Sequence, residues 1–158
     1  MTISDAEIDR LIALEKAVIN PRARRITQRG SERINYEATG QTGEQFFIYV
    51  TRNIRLADGF SCGLLYVSPS GEKLTLVRYN GPDHEHTNAL ESGKPLPRAC
   101  HIHRATERYI NAGRKAEHHA ETTTRYTDLD GALRALIADC NVRGLDDNKL
   151  IDAQLSLM

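Results

Sequence analysis

The chain has 158 residues, 40% of them hydrophobic, and balances 21 Lys+Arg against 21 Asp+Glu. That length suits one domain around one core, and a formal net charge of zero excludes a whole-protein field drawing it to nucleic acid or acidic membranes. No apolar run approaches the roughly 20 residues needed to span a bilayer. The opening MTISDAEIDR lacks the basic and apolar regions of a signal peptide. Cys62, Cys100 and Cys140 are odd in number and widely spaced, which argues for a reducing compartment. The expectation is a cytoplasmic protein without a membrane contact.

Ser4 and Glu7 form a capping-box pattern. Ile8, Leu11, Ile12 and Val18 recur at helical spacing, and Asn20-Pro21 is a stop, so a helix is predicted over 4–19. Arg22, Arg24, Arg25, Arg29 and Arg33 follow, with Glu32 the one acid among them. They read either as a solvated face or as a phosphate track.

Strand patterns come next. Residues 32–38 alternate Ile34, Tyr36 and Ala38 with polar neighbours, and 39–43 form a turn. Residues 45–54 are aromatic and β-branched. Residues 60–67 and 73–79 flank the hairpin turn Ser68-Pro69-Ser70-Gly71, and 99–104 form a further short strand. Between the last two lies a long loop, 80–98; such loops are often functional. Residues 105–112 read as a short helix capped by Gly113. Thr127 and Asp130 mark a second capping box before an apolar stripe through Leu129, Leu133, Leu136 and Cys140. The tail from Asp146 to Leu157 adds a short amphipathic helix through Leu150, Ile151 and Leu155. The predicted fold is α+β: an antiparallel sheet of about five or six strands over 25–104, with the N-terminal helix and a helical part at 105–157 packed on it.

All six histidines fall between residues 84 and 119, and His84/His86 and His101/His103 form two His-x-His pairs. A strand period of two puts both imidazoles of a pair on one face. If strands 73–79 and 99–104 are neighbours, the pairs converge. Three readings are open. One is a metal site, with Asp83, Glu85 or Glu91 as an added ligand; His84-x-His86 followed by Glu91 resembles part of the first cupin motif, but the framing glycines are missing. Another is acid–base cleavage of RNA without metal or cofactor, which needs a base, an acid and a cation for the phosphorane. His101 or His103 is then the base and the other pair the source of the acid. Arg104 or Arg78 stabilises charge, while Tyr79 and Arg108 join Arg78 in binding substrate. In the third, the histidines bond locally on the surface, as His118 and His119 are expected to in any case. Cys62 and Cys140 fit core packing; Cys100 alternates away from His101.

The run Leu74–Asn80, the histidine loop, Cys100-His-Ile-His-Arg104 and Tyr126-Thr-Asp-Leu129 resembles small toxins of bacterial toxin–antitoxin loci of the TumE type, over about residues 72–140. Asn80 stands where that family has Asp. The HIHRATERY stretch also looks similar to proteins of prophages and mobile elements. The resemblance implies a mobile-element setting, an RNA target and a cognate antitoxin partner. It equally admits a non-enzymatic inhibitor of a host nuclease or defence complex, and the metal reading leads to a metal-dependent small-molecule enzyme.

Overall fold

The computed structural model describes residues 2–91 and 95–145. The chain opens with helix α1 (Asp5–Ala13), which Ser4 caps by accepting from the Glu7 amide at 3.1 Å. It ends well before the predicted residue 19. Lys16 is the reason: its buried ammonium donates to the carbonyls of Ile12 (2.8 Å) and Leu14 (2.7 Å), meeting the open end of the helix. Residues Lys16–Val18 then form strand β1.

Strand β2 (Ile26–Gln28) follows, too short to display a period, and then β3 (Ser31–Gly40), β4 (Gln45–Asn53), β5 (Phe60–Val67) and β6 (Lys73–Asn80), as the strand patterns predict. The 80–98 segment holds a two-residue pairing of β7 (His86–Thr87) with β8 (Pro95–Leu96). After β9 (His101–Arg104) come α2 (Glu107–Asn111), β10 (Ala120–Thr122), α3 (Leu129–Asp139) and β11 (Val142–Arg143).

The sheet is larger than expected, with nine strands among the described residues, in the order β10-β9-β6-β5-β4-β3-β1-β11 and β2 paired to β3. It is mixed, because β1 and β11 run parallel. β1, β10 and β11 escape the sequence pattern because each has only two or three residues, too few to display a period. The cap of α3 is Asp128, whose carboxylate accepts from the Gly131 amide at 2.8 Å, rather than Thr127. The predicted tail helix at 146–157 lies outside the described residues.

One face of the sheet is apolar and carries the helices. Ile34, Tyr36, Ile48, Val50, Cys62, Leu64 and Tyr79 pack there with Ile8, Leu11 and Ile12 of α1 and Leu133 and Leu136 of α3. Cys62 and Cys140 lie in this core, both thiols pushed up by burial, that of Cys140 to about 12. The other face carries polar side chains.

Candidate functional site: an imidazole cluster on the open sheet face

His101 and His103 face away from α1 and α3. Strand pairing sets Arg78 opposite His103 and Asn80 opposite His101, so all four share the open face, whereas Tyr79 and Ile102 point into the core. The loop after β6 folds over them. His84 meets His101 edge-on at 5.2 Å between ring centroids, and His86 meets His103 at 4.7 Å and His101 at 6.0 Å. The two His-x-His pairs therefore converge. His118 joins them, 4.8 Å from His86; the expectation of a detached surface histidine is corrected.

The loop is held over the sheet by side chain–backbone bonds. Asn88 donates to the Ala120 carbonyl and accepts from the Ala120 amide, both at 2.8 Å, as a neighbouring strand would do. The Asn88 carbonyl oxygen also takes the Nε2–H of His86 at 3.0 Å. His118 Nε2 donates to the Thr87 carbonyl at 3.0 Å. Glu91 is bound by Arg108 at 2.8 Å and by the Tyr109 hydroxyl.

The tautomers of the paired residues follow from their partners. His101 Nδ1 is 2.9 Å from the Ala99 carbonyl, and His103 Nδ1 is 2.9 Å from that of Glu117. A carbonyl only accepts, so each Nδ1 carries the proton and each Nε2 keeps a lone pair. Among the described residues, both Nε2 atoms are buried without a hydrogen-bond partner, as are Asn80 Oδ1 and Arg78 Nε on the adjacent strand. Buried polar atoms are normally satisfied, and four orphans on two neighbouring strands mark a place built to meet something polar.

Burial also sets protonation. Desolvation is the main cause lowering His86 and His101 below the ordinary imidazole value; for His103 it acts with the nearby Arg78 charge to bring the ring to about 3. These three rings are neutral at pH 7. His84 is half-exposed, and its Nδ1 lies 2.7 Å from the Asp83 carboxylate.

Beside the cluster opens a cleft of about 390 Å³, lined by Ser31, Thr51, Ser61, Arg78, Asn80, Asp83 and His84 among others. The expected site residues divide across the sheet. Arg78 belongs to the cleft, near the Glu117 carboxylate at 3.5 Å. Arg104 alternates to the opposite side and pairs with Asp9 of α1. The Tyr79 hydroxyl donates to Asp139 of α3 at 2.6 Å in the helix layer. Arg108 anchors the loop through Glu91 and the Leu90 carbonyl. Asn80, Asn88 and His118 went unsuspected, though the alternation that pairs Arg78 with Asn80 was available in the sequence.

The donor set suits a metal in one respect, since an Nδ1–H held by a carbonyl and a bare Nε2 are what a ligating imidazole shows. Among the described residues, however, no three or more His, Cys, Asp or Glu side chains are arranged to hold an ion.

Residues 3–142 match a family described as "Family of unknown function (DUF6978)". The chain belongs to the DUF6978 family. Membership covers the sheet, the loop and α3, so the imidazole cluster lies within the family's shared region. Neither a curated protein nor a solved structure matches the chain. Nothing in the DUF6978 match links it to the TumE-type toxins or to prophage proteins. No helix among the described residues is long and apolar enough to cross a membrane.

Proposed function

We propose that this DUF6978 protein is a metal-independent endoribonuclease that cleaves RNA by acid–base chemistry, acting in the cytoplasm as toxins of the TumE type would. The observation that carries the reading is the bare Nε2 of His101. It is buried next to a polar cleft lined by Arg78, Asn80 and His84. His101 Nε2 takes the proton of a ribose 2′-hydroxyl, whose oxygen attacks the adjacent phosphorus. The bond from phosphorus to the 5′-oxygen breaks, and that oxygen takes a proton from the His84 ring, whose Nδ1 lies 2.7 Å from the Asp83 carboxylate. The products are a 2′,3′-cyclic phosphate and a 5′-hydroxyl. Arg78 faces the charge gathering on the phosphorane oxygens. His103 and His86 stay neutral and wall the base in.

The test is cleavage of total RNA by the purified protein in the presence of EDTA. Wild type should give cyclic-phosphate ends, and His101→Ala should be slower by roughly two to four orders of magnitude. Intact RNA with both proteins overturns the reading. Cleavage restored only by zinc turns it into the metal-dependent alternative. A second reading is favoured by the exposed Ile26, Ile54 and Leu56: a mobile-element protein that binds an antitoxin or a host complex through these side chains.

A further inference from the structure

The cluster stands at one end of a row that crosses the open face. Strand pairing sets Arg33 opposite Thr51, Thr51 opposite Ser61, Ser61 opposite Asn80 and Asn80 opposite His101. A second row, two residues along, reads Asn35, Tyr49, Gly63, Arg78 and His103. Directly opposed residues share a face, so both rows project away from the helices. Every residue in them except Gly63 brings a hydrogen-bonding side chain, and none brings a carboxylate, in a chain with 21 Asp and Glu. The acids that reach the strip do so from outside it: Glu117 beside Arg78 and Asp83 beside His84.

Two further features extend the strip beyond the cluster. The cleft that holds Arg78, Asn80 and His84 shares Ser31 and Thr51 with a second cleft of about 420 Å³ lined by Arg29, Arg33 and Asn35. The two clefts therefore adjoin at Ser31 and Thr51, one reaching His84 and the other Arg29. Tyr49 fills the space over Gly63 and carries the Arg33 guanidinium 4.9 Å above its ring, which holds that charge at the groove. Arg29 itself occupies the tip of the β2–β3 hairpin at φ 51°, before Gly30 at φ 80°. A two-residue hairpin of this kind favours Asn or Gly at its first position. An arginine there costs about 1 kcal/mol of backbone strain, and such strain concentrates at functional positions.

We infer that this acid-free strip is the binding track for a single-stranded polynucleotide, with Arg33 and Arg29 holding its phosphates on the side away from His101. The track deepens the nuclease reading and rests on it for the place of the scissile bond. Four strand spacings separate Arg33 from His101, about 19 Å, enough for several nucleotides. Arginine forks match phosphate, and the Ser, Thr and Asn side chains between them offer contacts that do not depend on base sequence.

The test is fluorescence anisotropy with a labelled 2′-O-methyl RNA octamer, which lacks the attacking hydroxyl and cannot be cleaved. Arg29→Gly and Arg33→Gln should each weaken binding roughly three- to tenfold and lower the salt slope by about 0.7 per phosphate lost. Glycine suits the φ at position 29, so that loss cannot come from unfolding. Arg104→Gln, on the opposite face, should bind as wild type. Failure of the wild type to saturate, or unchanged affinity in both groove variants, overturns the track. Binding that persists where a 2′-hydroxyl octamer stays uncut upholds the track and removes the nuclease reading; cleavage with unchanged binding in the variants does the reverse.

Discussion

The His86 and His103 rings meet edge-on with centroids 4.7 Å apart, and His103 is almost completely buried beneath. In that position desolvation and the Arg78 charge hold His103 to about 3. An unfolded chain binds the proton at about 6.5, so between about 6.5 and 3 the unfolded state holds more protons and stability falls as pH falls. From pH 7.5 to 5.0, His103 alone should cost about 2 kcal/mol, with His86 and His101 adding in the same direction. Urea titrations at pH 7.5 and 5.0 measure this. His103→Gln, neutral at both, should lose about 2 kcal/mol less on acidification than wild type. Equal losses would show that His103 is not held neutral.

Arg78 and Arg104 separate the two faces of the sheet in one experiment. Arg78→Lys keeps the charge but loses the planar fork, and RNA cleavage should slow about 10- to 100-fold. Arg104→Ala breaks an exposed pair with Asp9, so stability should change by less than about 1 kcal/mol and the cleavage rate should hold. Equal rates for wild type and Arg78→Lys would remove Arg78 from the chemistry.

The convergence of the histidines was legible because it needs only two strands and their period. His101 and His103 alternate to one face, and the strand before the loop returns beside them. The same period, applied one residue further, puts Arg104 with Ile102 and Tyr79 with the core. Reading Arg104 as adjacent to His103 in sequence hid their separation in space. His118 could not be placed, because it precedes β10, which has only three residues, and no periodic element carries it. The acid-free strip was illegible for a different reason: it is defined across five strands, and only the register joins Arg33 to His101. The helix at 4–19 failed at Lys16, whose bonds to helix-end carbonyls are long-range in part and leave no local signal.

Gly63 and Tyr49 give a test of the groove floor. A Cβ at position 63 would run into the Tyr49 ring, which is itself packed under Arg33. Gly63→Ala should destabilise by about 1–3 kcal/mol through overpacking. Tyr49→Leu in the same chain should recover part of that loss, since a smaller side chain vacates the contact. Chemical denaturation of the two variants checks it; no recovery would mean that the cost lies in the backbone of β5.

Lys16 ties the two helices together. Its ammonium donates to the carbonyls of Ile12 and Leu14 at the end of α1 and to that of Cys140 (2.8 Å) at the end of α3, and it lies 4.8 Å above the Phe46 ring. Three helix-end carbonyls thus share one buried donor. Lys16→Met keeps most of the side-chain volume and leaves them without it, which should cost roughly 2–4 kcal/mol. The melting temperature should fall by roughly 2–4 °C for each kcal/mol. Lys16 belongs to the helix side of the sheet, so RNA cleavage per folded molecule should be unchanged well below the melting point. Calorimetry and a cleavage assay on the same sample separate the two effects. A variant as stable as wild type would show that the carbonyls find other donors, and a slowed reaction in the folded protein would mean that the helix layer shapes the imidazole cluster on the far face.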